Sequence, residues 1–393
     1  MEVKLGYKQT EVGIIPDEWE VGTASDACEL VVDCKNRTPP VVAESDFAVV
    51  RTPNVRNGQF VLDDLRFTDE DSYRVWTARA VPQLGDIMIT REAPLGEVCA
   101  VPASRKVCLG QRMMLYRPSP ERTFSTYLLY SLMSEPVREN LFRKIGGSTV
   151  GHAKVDDIRF LQLPLPPLPE QRAIASALSD VDGLLGGLGR LISKKRDLKQ
   201  AAMQQLLTGQ TRLPGFHGEW EVRRLGELIE RLPKTTRPSS SGKAEGAYPF
   251  FTNSTKPVDR FLDEADFDAE AIIANTGGEA YFNYCRGKFA AMADCFVFKA
   301  SVVTRFLYYV LKSIERTVND NGFTGSGIKH LDKKYFYLLE VRCPAERPEQ
   351  TAIAEVLMEM DCELALLEQR RDKTRALKQA MMQELLTGRT RLV

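Results

Sequence analysis

The stretch KQAAMQQLLTGQTRLPGFHGEWEV, residues 199–222, is written a second time in two pieces. Its first part returns at the end of the chain as KQAMMQELLTGRTRLV, residues 378–393, and its second part near the start as KQTEVGIIPDEWEV, residues 8–21. A junction that is whole in the middle and divided between the termini marks an internal repeat, and repeats decide architecture before local patterns do. PEQRAIASALSDVD from Pro169 lies over PEQTAIAEVLMEMD from Pro348, and the match runs without a gap to TRL at 211–213 and 390–392. At this constant offset of 179, 25 of 45 positions are identical.

The repeated element reads as a helix. Pro169 and Pro348 suit the first turn, where the missing N–H costs nothing, and Glu170 and Glu349 place negative charge at the positive end of the helix dipole. Apolar residues then step by four and three through Ile174, Leu178, Val181, Leu185, Leu188 and Ile192. The second copy repeats the pattern with Ile353, Leu357, Met360, Leu364 and Leu367. Such a seam cannot face water, so the other copy is the expected partner in an antiparallel coiled coil. Gly209 and Gly388 are the expected C-terminal stops. The first copy alone carries Gly183, Gly186, Gly187 and Gly189. Either a partner helix approaches closely there or the helix is weak.

The segments before each helix are unlike one another but both strand-rich. FAVVRTPNV, DIMITRE and GEVCAVP read as strands in the first, and AIIAN, CFVFKA and YFYLLEVRC in the second. STYLLYSLMSEPVRENLF and SVVTRFLYYVLKSIERTV read as helices. The tract 232–249 reads as a mobile polar loop, and LPLPPLP at 163–169 as an extended lead-in. The expected fold class is α+β. A first domain over 1–165 precedes a helix over 166–212, and a second domain over 213–345 precedes a helix over 346–393. Two antiparallel helices with a domain at each end would close into a pseudo-twofold ring. The chain would be opened inside one copy of the junction, which explains the divided repeat.

Composition adds mainly exclusions. With 53 basic and 53 acidic residues the net charge is zero, so an overall basic field gives no argument for a nucleic-acid partner. The eight cysteines include no C-x-x-C pair and the three histidines lie far apart, so buried reduced thiols are expected and no metal site. No apolar run approaches the roughly 20 residues that cross a bilayer. The start lacks a signal-peptide core, and a cytoplasmic chain is expected. There is no Walker A sequence, and NRTPPV at 36–41 is a poor match to a methyltransferase active-site loop. The acidic run DEADFDAE, 263–270, reads as a solvated loop.

The chain resembles the specificity subunit of type I restriction–modification systems over essentially its whole length. The likeness is carried by PLPPLPEQRAIA with LLTGQTRLPGF and GEWEV, and by PEQTAIAEVL with LLTGRTRL. LGDIMITREAPLGEV at 84–98 and GGSTVGHAKVDDIRFLQLPLP at 146–166 add to it, with looser counterparts in AIIANTGGEAYF and GFTGSGIKHLDKKYFYLLEV. RCPAERPEQ departs from the usual proline-rich lead-in before the second helix. The resemblance implies two target recognition domains, each reading one half of a bipartite double-stranded DNA site. It implies helices that dock two methyltransferase subunits, with a motor–nuclease subunit as a further partner. It also implies no catalysis and no cofactor on this chain, S-adenosylmethionine belonging to the methyltransferase. The competing reading is a coiled-coil adaptor that binds only protein.

Base reading in the major groove favours Arg to guanine and Gln or Asn to adenine. In the first domain the candidates are Arg51, Thr90, Arg91, Gln111, Arg112, His152 and Lys154. In the second they are Lys234, Arg237, Lys243, Asn253, Lys256, Asn275, Lys288 and Lys329.

Overall fold

The computed structural model describes residues 4–145, 151–256 and 258–392, and the first five residues of the motif at 146–166 lie outside them. The chain folds as two compact units. One comprises residues up to Gly187 together with those from Arg371 onward, and the other runs from Leu188 to Arg370. Each unit therefore contains a domain, the start of one long helix and the end of the other.

The long helices span Leu168–Leu206 and Arg347–Leu385, 39 residues each, or roughly 58 Å at 1.5 Å per residue. Both stop at a glycine in the left-handed region, Gly209 at φ 72° and Gly388 at φ 68°. An added Cβ at Gly388 would lie 2.5 Å from the Pro16 ring, so this turn needs glycine twice over.

In the first unit the mixed α+β domain is built on a four-stranded sheet. Its antiparallel order is Val98–Ala100, Ile87–Thr90, Met113–Pro118, Cys28–Asp33. A second sheet orders Lys106–Leu109, Phe47–Val50 and Arg66–Thr68, the first two parallel. The helical stretch after residue 124 is two helices, Ser125–Met133 and Glu135–Lys144. Ser134 is extended between them, and Pro136 sits in the first turn of the second. In the second unit one six-stranded sheet carries the domain, with Phe267–Ala274 between Phe296–Ala300 and Phe282–Ala291. Its helices are Thr304–Ser313 and Glu315–Gly322.

The expected loop 232–249 contains a short 3-10 turn, Ser239–Ser241, runs into a strand at Tyr248–Phe251, and is tied to the sheet. Leu232 N–H donates to Val297 O, Thr235 Oγ1 to Ala291 O, and Ala293 N–H to Arg237 O. The lead-in to the first helix is a strand, Gln162–Leu165, paired antiparallel with Glu20–Thr23. The departure noted before the second helix folds the same way, Glu340–Pro344 pairing with Trp220–Arg224.

The pairing of the helices is antiparallel within each unit. In the first, Ile174 and Leu178 pack with Leu385 and Leu386, but equally with Ile15, Trp19, Tyr127 and Tyr130. In the second, Ile353 and Leu357 share a core with Leu206, Leu207, Phe306 and Leu307. Leu188, Ile192 and Leu364 are buried, while Val181, Leu185, Met360 and Leu367 are only half-buried. The seam is thus shared with the domains at the helix starts, and its burial is uneven along each helix. Three of the four glycines mark no close approach: an added Cβ at Gly183, Gly187 or Gly189 meets nothing within 4 Å.

What locks each junction is a buried carboxylate. Arg212, just past the first helix, donates through Nε and Nη2 to Glu349 at 2.5 and 2.7 Å. Arg391, just past the second, donates to Glu170 at 2.5 and 2.9 Å. Each pair has its tryptophan: the Arg212 guanidinium lies over the Trp220 ring, and Trp19 Nε1 donates to Glu170 at 3.0 Å. The adjacent glutamines tie each helix start to its own domain. Gln171 accepts from Phe124 N–H and donates to Arg122 O and Pro166 O; Gln350 accepts from Val303 N–H and donates to Pro344 O. The repeated PEQ therefore carries one interhelical link and one domain link.

A further pair repeats at the same offset. Tyr130 OH donates to Asp182, which also takes Lys378. Tyr309 OH donates to Asp361, which also takes Lys199. Burial, reinforced by the Asp182 hydrogen bond, holds the Tyr130 phenol above its ordinary pKa, and Tyr309 is raised in the same way by burial and Asp361. Equivalence thus reaches back to the helices at Ser125 and Thr304, beyond the identity visible in sequence.

Candidate nucleic-acid interface

Three chain segments meet at one end of the first domain's sheet. The strand Ile87–Thr90 runs into a turn through Arg91 and Glu92. Arg91 N–H donates to Arg112 O at 2.9 Å, and Ala153 N–H donates to Arg91 O at 3.0 Å, so residues 91, 112 and 153 are stitched together by backbone. Glu92 is the hub of the side chains, forming an ion pair with Arg112 through Nε and lying 2.9 Å from His152 Nδ1. A cleft of about 440 Å³ opens here, lined by Asp33, Asn36, Arg91, Glu92, Gln111, Arg112, His152 and Val155. Four candidates distant in sequence, Arg91, Gln111, Arg112 and His152, are thereby brought together.

The second domain builds the same frame from different residues. Asn275 N–H donates to Tyr281 O as Thr90 N–H donates to Glu97 O, and Leu331 N–H donates to Thr276 O as Ala153 N–H donates to Arg91 O. Lys154 and Asp332 then occupy matching N-cap positions of short helices at Val155–Arg159 and Lys333–Leu338. By this register Thr90 matches Asn275, Arg91 matches Thr276, and His152 matches His330. Asn253 joins the cluster, its Oδ1 accepting from Thr276 N–H at 3.1 Å, and Lys329 O accepts from Gly278 N–H.

A family model for the type I restriction modification DNA specificity domain matches the chain twice, over residues 16–188 and 217–374. The chain belongs to that family. It is a DNA-recognition subunit of a type I restriction–modification system, and a protein-only adaptor is not favoured. The putative type I restriction enzyme MjaX specificity subunit of Methanocaldococcus jannaschii is 27% identical over 425 residues, which cover 98% of this chain and 97% of that one. The MjaIX specificity subunit of the same organism is 23% identical, with 84% and 85% covered. The crystal structure of the type I system S subunit from M. genitalium matches in fold with a TM-score of 0.65 at 16% identity, covering 98% of each chain.

Not every candidate of this specificity subunit faces solvent. Thr90 is buried, its hydroxyl donating to Pro94 O at 2.5 Å and accepting from Glu97 N–H, so it shapes the turn and cannot touch a base from there. Asn275 is buried at the matching place, its amide holding Ser254 O and Glu279 O. Both correct the expectation of direct contact, because the strand end they occupy lies under the loops. Arg51 does not line the cleft and is bound to Asp64 at 2.6 Å. In the second domain Arg237 pairs with Asp266 and Glu264, and Lys243 with Asp263, so the acidic run 263–270 neutralises both. The Asp266 hydrogen bond, above all, raises the Arg237 pKa. Lys154, Lys234, Lys256 and Lys288 are exposed, with Lys288 5.9 Å from the Tyr248 ring centre. Among the described residues no cluster of His, Cys, Asp and Glu could hold a metal, and no helix is long and apolar enough to cross a membrane.

Sequence reading missed Glu92, Asn36 and His330. Aligning the histidines of GGSTVGHAKVDDIRF and GFTGSGIKHLDKKYF two residues before the caps would have found His330. Glu92 carries no such signal, since an acidic residue in a DNA-facing loop looks unfavourable until its basic partners are known.

Proposed function

We propose that the two domains each read one half of a bipartite double-stranded DNA site, and that the two helices seat two methyltransferase subunits. The observation that carries the second part is identity without packing. Leu198 and its counterpart Leu377 are 47% and 56% exposed, and the exposed Lys194, Gln200, Ala201 and Gln204 recur as Lys373, Gln379, Ala380 and Gln383. Burial within the chain cannot require an exposed side chain to be the same twice; one kind of partner met twice can. The unlike loop clusters on matching frames support two different half-sites. S-adenosylmethionine and the catalytic groups belong to the methyltransferase, the chain supplying none. A motor–nuclease subunit completes the restriction complex, and the assembly acts in the cytoplasm.

Replacing residues 22–162 by the first domain of another family member tests the reading. Methylome sequencing of the assembled complex is expected to show a change in one half of the methylated site only. A change in both halves would overturn modular reading. Leu198→Glu with Leu377→Glu is expected to abolish co-purification of the methyltransferase; retained stoichiometric binding would refute the seat.

A further inference from the structure

The cleft in the first domain holds two arginines that differ in an informative way. Arg91, which lines the cleft, is 7% exposed, and its buried Nε has no partner among the described residues. Arg112 stands half-exposed at the rim with φ 72°, a left-handed conformation that a non-glycine residue adopts only under restraint. The restraint is visible: its carbonyl is held by Arg91 N–H and its Nε by Glu92. Glu92 Oε1 makes its closest approach at Nε, so the ion pair ties the planar guanidinium to the turn at residue 92.

The charges decide what such a cleft suits. Asp33 is taken by Arg79, and the Glu92 carboxylate stands against Arg112 and beside His152, where it opposes a phosphate. Base edges carry no net charge, and the major-groove edge of guanine presents two acceptors, O6 and N7, spaced for an aimed guanidinium. An arginine left free on the surface would instead settle on phosphate and carry no sequence information.

We propose that Arg112 reads a guanine in the half-site of the first domain and that Glu92 is the positioning residue that aims it. The same carboxylate orients the His152 ring, so one side chain sets two neighbouring groups. The inference rests on the DNA-reading role assigned to this domain. The second domain lacks the device, since Gly277 follows Thr276 where Glu92 follows Arg91, which keeps the expected effect in one half-site.

The test uses the full chain assembled with its methyltransferase, with methylation profiled over a randomised target library. Arg112→Lys keeps the charge but loses the planar fork, and is expected to lower discrimination at one G·C pair of the first half-site by roughly tenfold to a hundredfold. Glu92→Ala is expected to relax the same position, and Glu92→Gln, which keeps the acceptor oxygen, to relax it less. Preference in the second half-site should be unchanged. A folding defect would depress every position alike, so localisation to one base pair separates aiming from structure. Uniform loss, unchanged preferences, or a first half-site without a G·C pair would overturn the proposal. Replacement of residues 22–162 identifies that half-site; if none tracks the replacement, the DNA-reading assignment fails separately.

Discussion

Arg391 and Glu170, 221 positions apart, make the same two-pronged ion pair as Arg212 and Glu349, which lie 137 apart. Both arginines follow a helix end, both glutamates open a helix, and the two pairs are related by the offset of 179. The junction divided between the termini is thereby rebuilt in space by non-covalent contacts, with the same chemistry as the continuous one.

Loss of an arginine from this clamp should be costly, because the glutamate it leaves is fully buried. Arg391→Ala strands Glu170 with only the Trp19 N–H, and breaking such a pair costs about 3–5 kcal/mol. Chemical denaturation should show the loss, and Arg212→Ala should show a similar one through Glu349. Glu170→Gln, which keeps hydrogen bonding without a buried charge, should be milder.

Alanine at Gly183, Gly187 or Gly189 should stabilise the chain by about 1 kcal/mol each, since the helix interior favours Ala and the added Cβ meets nothing within 4 Å. A raised denaturation midpoint checks this. By contrast Gly388→Ala should destabilise, because a left-handed backbone and the Pro16 ring both oppose the methyl group.

The fragment 1–213 should form a homodimer. In the first unit Glu170 and Asp182 are met by Arg391 and Lys378, and Leu385 and Leu386 cover Ile174 and Leu178. Their counterparts at the offset of 179 are identical residues: Arg212, Lys199, Leu206 and Leu207. A second copy can therefore supply every one of these contacts. Sedimentation should report a dimer, and with the methyltransferase its target should be an inverted repeat. A monomer would show that the copies are not interchangeable.

Thiol chemistry should divide the cysteines by burial. Cys28, Cys99, Cys108 and Cys295 are pushed by burial from 9.0 to about 12, so at pH 8 their thiolate is of order one part in ten thousand. The exposed Cys362 should react first with an alkylating reagent, and the four only on unfolding. Because the folded values are raised, the stability they support is present below pH 9.0 and declines as pH climbs toward about 12. Midpoints measured across that window check the sign.

The sequence alone determined the elements whose causes are local or repeated. Two 39-residue helices, their glycine stops, the strand-rich domains and the antiparallel pairing all follow from periodicity, caps and a repeat, which need no distant partner to be read. Tertiary structure decided which residues meet. It buried Thr90 and Asn275 beneath the loops and gathered Arg91, Glu92, Arg112 and His152 from three segments. It also gave Gln171 and Gln350 their backbone partners and matched Tyr130 with Tyr309 where neighbouring identity is low. The physical reason is that a helix is written in spacings of three and four, whereas a charge hub depends on strand register and turn geometry. Those bring together side chains tens of positions apart, and no local pattern records them.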